Sequence, residues 1–70
     1  MLYTEIEIAE KLGFQWMDWF EGMDIQVTDT GGTVLCGILA DQSAVYGMMS
    51  RVASLSLTLI AVSVRDQTDF

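Results

Sequence analysis

Residues 37–50, Gly-Ile-Leu-Ala-Asp-Gln-Ser-Ala-Val-Tyr-Gly-Met-Met-Ser, constrain the fold of this chain more than any other stretch. An apolar run ends at Leu39 and Ala40, Asp41 follows, and an amphipathic pattern begins at once. The Asp41 carboxylate can accept a hydrogen bond from the backbone N–H of Ser43 or Ala44, satisfying a donor that a helix start leaves free. Ala44, Val45, Met48, Met49, Val52 and Leu55 recur at helical spacing, with Ser43, Gly47, Ser50, Arg51 and Ser54 turned away. A strand that passes so quickly into a capped helix predicts a mixed α and β chain. Gly47 costs about 1 kcal/mol relative to Ala inside a helix. Its presence there predicts close backbone packing against a neighbour.

The flanking segments alternate. Leu2, Thr4, Ile6 and Ile8 lie on one side of a first strand, with Tyr3, Glu5 and Glu7 on the other. Phe14 to Glu21 spaces Gln15, Asp18 and Glu21 three apart among Phe14, Trp16, Met17, Trp19 and Phe20, which predicts a short helix stopped at Gly22. Met23, Ile25 and Val27 form a second strand, and Asp29-Thr30-Gly31-Gly32 a hairpin turn into a third, Thr33 to Leu39. Leu57 to Val64 closes as a fourth strand. The order strand, helix, strand, strand, helix, strand predicts an α+β, ferredoxin-like βαββαβ plan. It calls for a four-stranded antiparallel sheet in the spatial order fourth, first, third, second, with two helices on one face. Residues 1–64 make a single domain in this reading, and 65–70 a polar C-terminal tail.

A chain of 70 residues buries only about 60% of the surface it exposes when unfolded, so its own core is marginal. The usual supports are missing. Cys36 stands alone and there is no histidine, which excludes an intramolecular disulfide and a zinc set. Yet 51% of the residues are hydrophobic, more than one helix-covered sheet face can absorb. A protein partner is the ordinary destination for that excess.

A membrane is not. The most apolar run, Leu55 to Val64, includes Ser56, Thr58 and Ser63 and is far shorter than the roughly 20 residues a spanning helix needs. Glu5, Glu7 and Glu10 give the N-terminus no signal-peptide character. The expectation is a cytoplasmic protein. Ten acidic residues against Lys11, Arg51 and Arg65 leave a net charge of −7. Phosphate backbones are bound by neutralising them with Lys and Arg, so nucleic acid and anionic lipid are excluded as partners.

Trp16, Asp18-Trp19-Phe20-Glu21-Gly22, Thr33-Val34-Leu35, Gly37, Asp41-Gln42-Ser43-Ala44, Tyr46-Gly47-Met48-Met49 and Leu55, Leu57, Leu59 with Ser63-Val64 resemble a family of small uncharacterised bacterial proteins. Its pattern runs W-x-D-W-F-x-G, T-x-L-x-G, D-Q-A-A-L-x-G-L-L and L-x-L-x-L-L-S-V. The resemblance covers nearly the whole chain, supports the fold and adds no reaction. It implies that Leu35 faces inward and Cys36 the open face, which alternation alone leaves undecided. This chain departs from the pattern in having Ile38 where proline is common, Ser56 where glycine is common, and only Arg51 as a basic residue in the second helix. Ile38 can donate a ladder hydrogen bond that proline cannot, so the third strand can run one residue longer. An anion-binding role is correspondingly weaker here.

Chemistry has little to work with. Asp18 with Glu21 and Glu5 with Glu7 are carboxylate pairs, but both fall on solvated positions, whereas acid–base work needs one member buried. Cys36 lacks a base or cation near it in sequence. Gly31-Gly32 joins two strands and does not open a helix, so it is a turn and not a phosphate loop. No catalytic, cofactor or metal-ligating residue is assigned. Trp19 is the aromatic that would stack a flat ligand if a pocket exists.

Three classes of function remain. The first is a structural or interaction module that self-associates, most simply as a homodimer, over the open sheet face or along the last strand. There Leu57, Leu59 and Ala61 alternate with Ile60, Val62 and Val64, apolar on both sides. Val34, Cys36, Ile60 and Val62 are the expected contributors. The second is a small-molecule or regulatory domain with a pocket between sheet and helices or at the oligomer interface. The third, an enzyme, would rely on a carboxylate with Tyr3 or Tyr46.

Overall fold

The computed structural model describes residues 1–20 and 22–66, leaving aside the side chains of Phe14, Gln15 and Met17. Four strands, β1 (Leu2–Ile8), β2 (Asp24–Val27), β3 (Thr33–Leu39) and β4 (Leu59–Asp66), form one sheet in the order β2-β3-β1-β4. Every neighbouring pair is antiparallel. The fold is α+β, and the strand order is the one expected from sequence. The one α-helix among the described residues, α1 (Gln42–Ser54), links β3 to β4.

The expectation of two helices needs correction. Phe14–Phe20 is a 3₁₀ segment, opened by the Trp16 N–H donating to the Gly13 carbonyl at 3.1 Å. The seven residues Phe14–Phe20 fall short of the length at which α-helical propagation offsets nucleation. A spacing of three between Gln15 and Asp18 is the 3₁₀ period, not the α period of 3.6. The ferredoxin-like plan, which requires a helix in each crossover, is therefore met in only one of the two.

The α1 ends are capped as physical chemistry prescribes. The Ala44 N–H donates to Asp41 Oδ1 at 3.0 Å. At the far end the Leu57 N–H donates to the Val52 carbonyl at 3.2 Å and the Ser56 N–H to the Ala53 carbonyl at 3.0 Å. That pairing is a Schellman motif, which needs a left-handed residue after the cap. Ser56 supplies it at φ 59°, a region that residues other than glycine rarely adopt.

Registry fixes the two faces of the sheet. Ile6 stands between Leu35 and Val62, and Ile8 between Thr33 and Leu59. With Leu12, Phe20, Met23, Met48 and Val52, the buried Ile6, Ile8 and Leu35 make the core, against which Trp16, Ile25, Leu39, Leu55, Leu57 and Val62 pack. Buried Thr33 fastens the loop after β1: its hydroxyl donates to the Glu10 carbonyl at 2.7 Å and accepts the Leu12 N–H at 2.9 Å. A Cβ at Gly37 would lie 2.8 Å from the Gly22 carbonyl oxygen. Only glycine lets the turn after the 3₁₀ segment cross β3 so closely.

Three further expectations change. Gly47 meets nothing within 4 Å of an added Cβ, so it lines open space and packs against no backbone. Strand β4 begins at Leu59 and runs through Arg65 and Asp66, which pair with Tyr3 and Leu2; only 67–70 of the expected tail lie outside the described residues. Finally, Glu7 pairs with Ala61 but Ile8 with Leu59, so Ile60 is an extra residue in a β-bulge. The bulge breaks the simple alternation expected along this strand.

Candidate functional site

The face of the sheet turned away from α1 is built in rows. Gln26, Val34, Glu7 and Ala61 form one row, and Asp24, Cys36, Glu5 and Ser63 the next. Ile38, Tyr3 and Arg65 form a third. Pleating puts the members of each row on one side. Val34 and Cys36 therefore share the open face, as the resemblance implied.

Val62 does not join them. It pairs with fully buried Ile6 and packs against the core. Ile60 sits in the bulge at the edge and is 56% exposed. The four residues expected to act together divide between the open face, the core and the strand edge. Cys36 is buried even on the open face, and burial together with Glu5 and Cys36 raises the Tyr3 phenol above its ordinary pKa while Arg65 opposes the shift. The Arg65 guanidinium carbon lies 5.2 Å from the Tyr3 ring centre, a cation–π contact.

Beside Cys36 the open face dips. A shallow cleft of about 150 Å³ is lined by Glu5, Glu7, Val34, Ala61 and Ser63. Glu5 and Glu7 are half-buried as residues, where expectation had them on solvated positions. The small side chains of Ala61 and Ser63 form the wall of the cleft on the β4 side.

A second depression lies on the helix side. An open groove of about 490 Å³ is lined by Leu39, Ala44, Gly47, Met48 and Arg51. Arg51 is its one charged residue, and Nη1 donates to the Trp19 carbonyl oxygen at 2.8 Å. The Trp19 side chain is 53% exposed and stands at the surface. Asp18 is exposed too, while its expected partner Glu21 lies outside the described residues. Tyr46, the other hydroxyl considered for chemistry, is exposed on α1.

The last strand, one of the two surfaces expected for association, lies at the edge of the sheet. Leu59, Ile60 and Val64 are 41%, 56% and 42% exposed on β4, whose second side pairs with no described strand. The absence of charge between Leu59 and Val64 was its visible signal. The start of this strand is held by Glu10, whose carboxylate accepts the Thr58 N–H and the Thr58 hydroxyl, each at 2.8 Å. Those two bonds hold the Glu10 carboxyl below its ordinary pKa.

Among the described residues no group of three or more Cys, Asp or Glu side chains is placed to hold a metal ion. None of their helices is long and apolar enough to cross a membrane. No curated protein and no solved structure matches the chain. Residues 3–63 match the family model described as a domain of unknown function (DUF8691), and the chain belongs to that family.

Proposed function

We propose that this protein is a small structural and interaction module that works as a homodimer, joined edge to edge along β4, and that it has no catalytic activity. The carrying observation is the β4 edge: eight residues, Leu59–Asp66, with Leu59, Ile60 and Val64 exposed and no described strand on the side away from β1. Such an edge presents free backbone N–H and C=O groups together with apolar side chains, and it pairs readily with another strand. A second copy of the same edge supplies both. A standard interface covers about 800 Å² per partner, a substantial addition for a chain whose exposed surface is 4712 Å². Two-fold closure uses one self-complementary patch and leaves no growing end. The same reading puts the module in the cytoplasm, where a lone thiol such as Cys36 stays reduced.

A small-molecule site in the groove beside Gly47 is the second reading. Its support is the open space that a helix-interior glycine leaves unfilled. Against it, Arg51 is the one charged lining group and is already bonded to Trp19, whereas ligand sites converge several polar groups.

Sedimentation velocity across the micromolar range tests the first reading. A dimer that dissociates on dilution is the expected result. A folded 7.8 kDa monomer at every concentration would remove it.

A further inference from the structure

We propose that the β4 edges pair in one register, with the two-fold axis beside Ser63, and that Arg65 of each copy reaches into the acidic cleft of the other. The proposal rests on the edge-to-edge reading above and states what the second copy contributes: the cation that the Glu5–Glu7 cleft lacks.

Two antiparallel strands related by a two-fold axis pair one residue with itself, and partners across the ladder share a face. The regular part of β4 begins after the bulge at Ile60, which leaves Ala61 to Asp66. An axis beside Ser63 sets Ala61 opposite the partner's Arg65 and Val62 opposite the partner's Val64. It uses nearly the whole regular segment. It also brings together four valines on the helix side and covers Val64, now 42% exposed.

On the open face the consequence is electrostatic. Ala61 already pairs with Glu7, so the row becomes Val34, Glu7, Ala61 and the partner's Arg65. Glu7 and that arginine are then two strand spacings apart, about 10 Å between backbones. The methyl group of Ala61 between them leaves the space clear. Two long side chains extended toward each other close that distance, and an arginine meeting a carboxylate forms a charge-assisted hydrogen bond. In the single chain Arg65 rests over Tyr3, an exposed contact that it can leave at small cost.

Other registers fit less well. An axis beside Val62 places Arg65 opposite the partner's Leu59, across the bulge, and leaves only Ala61 to Ser63 in regular pairing. An axis beside Val64 pairs an equal number of residues and keeps Arg65 near the partner's Glu5, but it sets Asp66 opposite the partner's Val62 and leaves Ala61 outside the ladder. The cleft also disfavours a dimer stacked face to face, since Glu5 and Glu7 of both copies would meet.

Disulfide trapping and a charge swap test the register. Ser63→Cys should form a cross-linked dimer on mild oxidation, because residues facing each other across an antiparallel pair lie within disulfide reach. Ala61→Cys, displaced along the strand from its own copy, should not. Arg65→Glu and Glu7→Lys should each raise the dimer dissociation constant about tenfold, and the two combined should restore it to near the original value. Circular dichroism of each variant separates weakened association from misfolding. Cross-linking through Ala61→Cys in preference to Ser63→Cys, or a combined variant no tighter than the singles, overturns this register while the dimer itself stands. A monomeric parent protein overturns both readings.

Discussion

The two edges of the sheet are protected to very different degrees. At one side β2 is four residues long, carries Asp24 and Gln26 on the open face, and has Val27 as its one large exposed apolar residue. At the other side β4 is eight residues long and has no charge until Arg65. Short, polar edges discourage pairing with another chain, and long, apolar ones invite it. The bulge at Ile60 twists the start of β4, but the segment after it is regular. One edge is thus closed by its own chemistry and the other is left available, which is why the proposed association is put at β4 and not over the sheet as a whole.

The sharpest way to break that contrast is to charge each edge in turn. Val64→Lys should raise the dimer dissociation constant by at least about tenfold, through lost apolar cover and charge placed at the edge. Val27→Lys on β2 should leave it unchanged in the same sedimentation experiment. Equal effects at both sites would end the distinction.

A second contrast lies within β4. Val62 packs on the core and Ile60 does not. Val62→Ala should cost about 1–2 kcal/mol of folding stability, as a cavity forms beside Ile6. Ile60→Ala should stay within about 0.5 kcal/mol, the range of surface changes. Urea denaturation of the two variants, at concentrations too low for dimerisation, checks both figures.

The approach to β4 offers a smaller effect of opposite sign. Ser56 holds a left-handed conformation that costs an L-residue about 1–2 kcal/mol and costs glycine little. Ser56→Gly should therefore stabilise the fold by up to about 1 kcal/mol in thermal unfolding, the gain being reduced by the entropy glycine adds to the unfolded chain. Loss of stability would mean that the serine hydroxyl is needed there.

The smallest effect concerns Glu10, which ties the loop after β1 to Thr58 just ahead of β4. Its folded pKa is depressed, so its contribution is complete above the unfolded value and disappears as pH falls through the folded one. Glu10→Gln should remove part of the acid limb of the stability curve and change nothing in its alkaline limb. An unaltered acid limb would show that Thr58 is held by other means.

Much of this fold was legible in the residues. Period-two alternation marked Leu2–Ile8, Asp41 announced the start of α1, and Asp29 to Gly32 announced the hairpin. From these the strand order followed, because a tight turn forces β2 beside β3 and long crossovers bring β1 and β4 inward and outward respectively. The 3₁₀ segment was half legible: its polar residues fall three apart, but aromatic crowding read equally well as a helix. The candidate site was less accessible. Val34 and Cys36 were placed on the correct face only through the family resemblance, Val62 was grouped with them, and the exposed β4 edge was one of two options.

Local chemistry by itself determined the elements here: an N-cap needs only Asp41 and the N–H three residues on, and a strand face needs only alternation. The tertiary structure decided what each element meets. Whether Ile60 bulges depends on how β4 registers against β1, some fifty residues earlier in the chain, and a single inserted residue reverses which side chains reach the core. Gly47 looked like a packing contact because a helix penalises glycine, yet only the placement of α1 over the sheet shows that it borders a groove. Glu5 and Glu7 looked solvated because charge ordinarily is, and the neighbouring strands then half-buried them beside Ala61 and Ser63. In each case the deciding neighbour is distant in sequence, so no pattern within a short window could specify it.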